Sequence, residues 1–441
     1  MNEAPLTPLF FSSFGPMKVF KFGGASVKDS SAVRNVSGIL SMFHGEKIAV
    51  VVSAMGKTTN KLEEIVAAEQ RHDKKTFDAL VDDLYAFHLD IMADLFQERH
   101  YAAYNALDEI FEGLRARFNQ PFPENFDFEY DQIVSLGELL STQIISAFLN
   151  EQGHATRWAD SRLLIRTDNR YREGNVDWKK TEELIRERLI PAFEHNNILV
   201  TQGFIGATGE GFTTTLGREG SDYTAGILAY CTDAESVTIW KDVPGMLNAD
   251  PKHFKNTVKL DQISFREAIE LSYYGASVIH PKTVKPLQNK GIPLYVKSFL
   301  QPEAEGTVIQ ESTANDHLIP SFIVMNNQVL FSINRRDFSF IVEEHLSDIF
   351  NRLASIGVKI NLMQNSALNF SILVDRSKTD PEKVIEHFTD NYEVRYNEGL
   401  ELVTIRHYDA RTLAMLSEGK ETLLEQRTRH TALLVLKEKT T

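Results

Sequence analysis

Met17–Ala54 constrains the fold more than any other part of this 441-residue chain. It opens with "MKVFKF" and turns at Gly23-Gly24. It continues through Asp29–His44, where Val33, Val36, Ile39, Leu40 and Phe43 recur at helical spacing, and closes with "KIAVVVSA", Lys47–Ala54. A continuous β-branched run of that kind suits a parallel strand buried on both faces. Strand, glycine turn, helix and strand make a βαβ unit. Further strands are expected at Ala155–Trp158, Ile198–Gln202, Ser236–Trp240 and Leu294–Lys297, with helical segments between them. The alternation predicts an α/β domain over 17–310 whose largely parallel sheet is covered on both sides. Asn60 to Phe118 has no proline and only Gly113 near its end, too long for one crossover helix, so 60–125 reads as a mostly helical insertion.

The pattern changes near Glu311–Pro320. Downstream, strands are expected at Val329–Ile333, Val358–Met363, Phe370–Val374 and Tyr392–Tyr396, with helices at Val342–Ser355 and Pro381–Phe388. That β-α-β-β-α-β order is ferredoxin-like. A second, shortened set starts at Leu400–Arg406, with a helix near Thr412–Ser417 and strands at Thr422–Gln426 and Ala432–Leu436. The chain thus reads as a large α/β domain followed by a smaller α+β region over 320–441.

Bulk properties exclude several function classes. A net charge of −14 repels a long polyanion, so nucleic acid is not expected as a partner. Cys231 is the one cysteine, which rules out an internal disulfide and argues against a cysteine zinc site. No membrane partner is expected, because no apolar run approaches the roughly 18 residues of a span. The first residues, "MNEAPLTPLFFSSFGP", carry an acid where a secretory signal needs bases. Residues 1–16 read as a disordered extension and the compartment as cytoplasmic.

Lys21 stands in an apolar strand directly before Gly23-Gly24. It lies on a solvated face, or it points at an anion that the glycine loop also approaches. "SAMGKTTN", Ser53–Asn60, is not a P-loop, because Val51 holds the position that needs glycine. No G-x-G-x-x-G occurs either, which removes the main support for a dinucleotide site. In "LGREGSDYTAG", Ser221 or Asp222 is expected to cap a helix starting near Tyr223. Arg218 beside that loop is shaped for bidentate contact with a carboxylate or phosphate. "IWKDVPGMLNADPK" is a strand ending in a Pro-Gly turn flanked by Asp242 and Lys252, and loops at strand ends are where α/β sheets bind ligands. His280, before Pro281, is expected to be structural rather than an acid–base group.

Together these stretches resemble the aspartate kinases, within the amino-acid kinase fold. The matching residues are "KFGGASV" at Lys21, "VVSAMGKTTN" at Val51, "SLGELLS" at Ser135, "GFIGAT" at Gly203, "TLGREGSDYTA" at Thr215, "WKDVPGMLNADPK" at Trp240 and "EAIELSYYGASVIHP" at Glu267. They fall in the family's order over about Lys18–Ile309, and the C-terminal region resembles the family's paired ACT domains. The resemblance implies a three-layer sandwich with a largely parallel sheet, followed by ferredoxin-like ACT domains. It implies phosphorylation of the β-carboxylate of L-aspartate by ATP with Mg²⁺ carried on the nucleotide, the first step toward lysine, threonine and methionine.

It also implies site roles. Lys21 would contact the transferring phosphate, and Asp222 would hold Lys21 or the substrate ammonium in place. Arg218 would pair with the α-carboxylate of aspartate and Glu138 with its ammonium, while Ser53, Thr59 and Ser221 add hydrogen bonds. The nucleotide would meet Lys21, Phe22, Gly23 and Gly24, the loop residues Lys241, Asp242, Leu247 and Lys252, and Ser277 and Val278. Such a reaction needs cation rather than a general base, since a free aspartate carboxylate with a pKa of about 3.9 is already ionised.

Departures from the family pattern carry expectations of their own. Ser277 stands where many relatives have lysine, and Lys241 where they have threonine or serine, so either Lys241 supplies the missing charge or Lys241 is a solvated strand-end lysine and Ser277 a harmless variant. "VKINLMQNSALNF" has Asn361 and Ala367 where acids would meet a lysine effector. Weak or absent lysine inhibition is therefore expected, with the tail serving a homodimer or higher oligomer. The alternatives are a kinase for another small acid and a non-catalytic amino-acid sensor that keeps the fold. A homoserine dehydrogenase half is not expected, because no residues remain after Thr441 to build one.

Overall fold

The computed structural model describes residues 16–96, 101–276 and 279–439, so the expectation for 1–16 lies almost wholly outside the described residues. The described chain forms two compact units. Met1–Met246, Lys259–Ser272 and Ser277–Asp316 contribute to the first; Leu247–Val258, Tyr273–Ala276 and His317–Thr441 contribute to the second.

The first unit begins with β1 (Met17–Phe22), α1 (Ser30–Ser41) and β2 (Lys47–Val52). The Asp29 carboxylate accepts from the Ala32 amide at 2.8 Å and starts α1 where the sequence places it. The helical segment that follows is α2 (Thr58–Gln70), α3 (Lys74–Leu95), α4 (Tyr101–Arg117), α5 (Phe126–Val134) and α6 (Leu136–Glu151). The Phe126–Glu151 stretch is long and apolar enough to cross a membrane, a feature the sequence reading passed over. However, 78% of its most apolar window is buried within the protein, as expected of a core helix.

Next come β3 (Thr156–Ala159), α7 (Trp178–Leu184), β4 (Ile198–Gln202), a hairpin of β5 (Ile205–Ala207) and β6 (Thr213–Thr215), α8 (Gly220–Thr232) and β7 (Ser236–Lys241). The unit ends with β8 (Gln262–Ser264), α9 (Phe265–Tyr273), α10 (Pro281–Lys290), β9 (Leu294–Ser298) and β10 (Thr307–Gln310).

The eight-stranded sheet has the order β3-β4-β2-β1-β7-β9-β10-β8. From β3 to β9 every neighbouring pair is parallel, and only β9 with β10 is antiparallel. β1 is central, with Lys21 opposite Val51 of β2 and Ile239 of β7. The chain winds outward to β2 on one side and returns later to β7 on the other. That is a topological switch point, where open α/β sheets take their ligands at the carboxyl ends of the strands. One face of β1, Phe20 and Phe22, packs with α1, the helical segment and Trp240; the rings of Phe22 and Trp240 are stacked at 5.9 Å. The other face, Val19 and Lys21, lies toward α8. The fold is the amino-acid kinase sandwich that the sequence implied.

The second unit is a six-stranded antiparallel sheet of order β12-β13-β11-β14-β16-β15. Its elements are β11 (Ser321–Arg335), α11 (Glu343–Ser355), β12 (Ile360–Asn365), β13 (Asn369–Asp375), α12 (Pro381–Glu386), β14 (Tyr392–Arg406), α13 (Ala410–Ser417), β15 (Lys420–Arg427) and β16 (Thr431–Glu438). β11 and β14 are long strands whose pairing shifts register between Met325 and Leu330. Each therefore serves two half-sheets. Val329, Phe331, Phe370 and Tyr392 pack under α11 and α12, and Val403, Ile405 and Leu434 pack with Leu413 and Leu416 of α13. The second half borrows Ser321–Met325 as a strand, which the sequence reading did not anticipate.

Candidate functional site

A cavity of about 950 Å³ in the first unit is walled by Lys21 of β1, Ser53 after β2, Thr59 of α2 and Glu138 of α6. Arg218, Ser221 and Asp222, before and within α8, complete that wall. Every residue named above for catalysis or for substrate thus faces one space. The glycines make this convergence possible. A Cβ on Gly24 would lie 2.9 Å from the carbonyl oxygens of Ala54 and Gly56, so only glycine lets the loops after β1 and β2 touch. A Cβ on Gly203 would lie 2.5 Å from Cβ of Ser221, so glycine there admits the start of α8. Gly24 therefore serves loop-to-loop contact in addition to any approach to a nucleotide.

Lys21 is only 8% exposed, which removes the solvated-face alternative. Its Nζ lies 2.6 Å from Oδ1 of Asp222, and Nζ of Lys241 lies 3.6 Å from Oδ2. Asp222 is fully buried, and burial pushes its carboxyl upward. The two ammonium groups more than offset that and hold it below the usual carboxylate range. One carboxylate thus orients two lysines, one at the end of β1 and one at the end of the adjacent β7.

Glu138 is also buried. Its Oε1 accepts from the Ala54 amide at 3.2 Å, while Oε2 has no hydrogen-bond partner. Burial pushes this carboxyl up to about 8, with Lys21 pulling weakly the other way. An unpartnered buried oxygen at a cavity wall is a place for an incoming donor. Arg218 is exposed and makes no ion pair with a described residue.

α8 starts earlier than the sequence suggested. Its N-cap is Glu219, a non-glycine residue at φ 56°, and Ser221 and Asp222 stand inside the first turn. This corrects the capping assignment: their side chains are free of the helix end and face the cavity. Burial and the adjacent Asp222 charge raise the Glu219 carboxyl. His280 caps α10, its Nδ1 accepting from the Lys282 amide at 3.1 Å, a structural role.

The residues expected around the nucleotide are more dispersed. The Phe22 side chain is wholly buried, leaving only its backbone for a ligand. Gly23 stands two residues after Lys21, and a Cβ there would sit 3.3 Å from Nζ of Lys21. Asp242 is exposed at the end of β7. Leu247 and Lys252 belong to the second unit, and Ser277 and Val278 lie outside the described residues.

Sequence reasoning missed the far wall of the cavity, formed by Glu63, Asp127, Tyr130 and the loop Arg170–Glu173. The Tyr130 hydroxyl donates to Oε1 of Glu63 at 2.6 Å, and the Arg172 guanidinium lies 4.2 Å from the centre of the Tyr130 ring. Two arginines in "DNRYREGN" were the available signal.

Comparison with known proteins agrees with this geometry. Residues 16–298 match the model of the amino acid kinase family. The chain is 31% identical over 357 residues to the lysine-sensitive aspartokinase 3 of Escherichia coli (strain K12), covering 81% of this chain and 78% of that one. It is 29% identical over 386 residues to the chloroplastic aspartokinase 3 of Arabidopsis thaliana, covering 84% and 67%. Among solved structures, E. coli aspartokinase III in complex with aspartate and ADP superposes with a TM-score of 0.77 at 27% identity, over 96% of both chains. The chain belongs to the amino acid kinase family and, within it, to the aspartokinases.

Proposed function

We propose that this protein transfers the terminal phosphoryl group of ATP to the β-carboxylate of L-aspartate, giving 4-phospho-L-aspartate and ADP. The observation that carries this reading is Asp222 bridging Lys21 and Lys241 beside a cavity that also holds Glu138 and Arg218. A similar protein of known structure binds aspartate and ADP.

The chemistry follows from charge. A carboxylate oxygen attacks the terminal phosphorus while the bond to the ADP oxygen breaks. Both partners are anions, so the reaction needs positive charge at the transferring group and little else. Lys21, fixed by Asp222, supplies it where charge develops. Arg218 takes the α-carboxylate of aspartate, and Glu138 takes the ammonium on its unpartnered oxygen. Ser53, Thr59 and Ser221 supply hydrogen bonds. The backbone of Phe22–Gly24, with Lys241 and Asp242, serves the nucleotide.

Among the described residues no three His, Cys, Asp or Glu side chains gather as an ion site. Magnesium is assigned to the ATP phosphates, where it would neutralise charge. The protein is assigned to the cytoplasm and to a homodimer or higher assembly through its second unit. The exposed apolar side chains Phe338, Phe340 and Met363 support that use.

The test is a coupled assay for ADP release with hydroxylamine trapping of the acyl phosphate. Aspartate-dependent trapping supports the reading, and ADP release without it contradicts it.

A further inference from the structure

Asp131 sits on α5 below the cavity, fully buried and outside every motif that pointed to the site. Its Oδ2 accepts from the backbone amides of Arg172 at 2.9 Å and Thr215 at 2.8 Å, and its Oδ1 accepts from the Thr215 hydroxyl at 2.7 Å. Those donors belong to two different segments of the wall, a loop and a strand far apart in sequence. Burial raises the Asp131 carboxyl to about 6 and the three donors oppose it, so it is ionised at neutral pH.

Both segments need holding. Arg172 has φ 65°, a left-handed conformation costly for arginine, and its amide is the one Asp131 accepts from. Thr215 ends β6 and leads through Gly217 to Arg218. The two segments also meet at Gly217, where a Cβ would lie 3.3 Å from the carbonyl oxygen of Arg172. The neighbouring Gln132 anchors the same strand separately, donating to the Thr213 carbonyl at 2.8 Å and accepting from its amide at 3.2 Å. The hairpin thus keeps an attachment to α5 that does not depend on Asp131.

We infer that Asp131 is a positioning residue for the substrate end of the cavity, clamping the Arg172 loop to β6 and so fixing where Arg172 and Arg218 stand. Arg172, stacked on Tyr130 and paired with Asp127 at 3.5 Å, then presents a second guanidinium to the space assigned to the acidic substrate. This inference rests on the reading that the Arg218 end takes aspartate.

The test is Asp131→Asn, which keeps the shape and removes the charge. KM for aspartate should rise about ten-fold while KM for ATP stays within about two-fold. Thr215→Val, which removes one donor, should shift aspartate in the same direction by less, and Thr215→Ser should restore it. Equal rises in both KM values, or none, would overturn the proposal. Hydrogen exchange supplies a readout without turnover: the peptide carrying Arg172 should lose protection in Asp131→Asn while α1 keeps it. Unchanged exchange there overturns the clamp. A wild-type protein that does not phosphorylate aspartate but shows the exchange change refutes the functional reading alone. Should Asp131→Asn fail to fold, Thr215→Val carries the same two readouts.

Discussion

The proposed substrate end and the proposed nucleotide end of the site are built differently. At the substrate end Lys21, Glu138, Ser221 and Asp222 are side chains of a strand or helix that face one cavity, and two glycines bring their backbones together. At the proposed nucleotide end Gly23 lies beside Lys21, Nζ of Lys241 approaches Asp222 at 3.6 Å, and Asp242 is exposed. The difference teaches where rigidity is needed. A small acid must present one carboxylate oxygen at one angle, and misplacement is costly. Substitutions at the two ends should therefore separate in kcat and in the two KM values.

The largest effect is expected where the ends meet. Lys21→Ala should lower kcat about a thousand-fold, with a much smaller rise in either KM, because its charge matters most in the transition state. Steady-state kinetics with both substrates checks this, and a loss confined to KM would show that Lys21 only binds. Next is Arg218→Lys, which keeps the charge and loses the fork. KM for aspartate should rise roughly ten- to a hundred-fold and KM for ATP by less than about two-fold. Equal changes would erase the distinction between the ends.

Lys241→Thr probes the opposite end and should raise KM for ATP about ten-fold. Adding Ser277→Lys should recover much of that loss. An unchanged ATP dependence in Lys241→Thr would make Lys241 a structural partner of Asp222 only.

A smaller effect comes from Glu138. Burial holds its carboxyl at about 8, so it is mostly protonated at pH 7. Only the ionised form pairs with an ammonium, and pairing pulls the pKa down, so binding releases a proton. KM for aspartate should therefore fall about five-fold from pH 7 to pH 8, flattening above the free-enzyme pKa of about 8. Glu138→Gln should bind weakly and show no such slope, and a wild-type KM that rises over that interval contradicts the assignment.

The smallest effect concerns the second unit. Asn361 donates to Gln328 at 2.7 Å and Ala367 offers only backbone, so a lysine ammonium finds no carboxylate at either position. Lysine at about 1 mM should leave the rate nearly unchanged, and strong inhibition would refute this.

Much of the parallel sheet was legible because its strands are continuous apolar runs. Ile198–Gln202 falls where the sequence puts it, and Lys47–Val52 differs only at its end. Lys21 and "GREGSD" were legible because charge beside glycine is chemically unusual. Asp131 was not, because its partners lie 41 and 84 residues away and nothing in Phe126–Val134 marks it as more than a helix face. The hairpin of β5 and β6 was missed because three-residue strands leave no periodicity to read. The early start of α8 was missed because Glu219 occupies a left-handed conformation that sequence rules reserve for glycine or asparagine.

The most direct test of the account is acyl-phosphate formation from ATP with L-aspartate and L-glutamate side by side, using wild type and Lys21→Ala. In the proposed roles, buried Glu138 and exposed Arg218 would set the span between ammonium and α-carboxylate, and one extra methylene would carry the reacting oxygen past Lys21. The account predicts hydroxylamine-trappable product with aspartate, far less with glutamate, and loss of both in Lys21→Ala. Equal product from both acids, or turnover that survives Lys21→Ala, would contradict it.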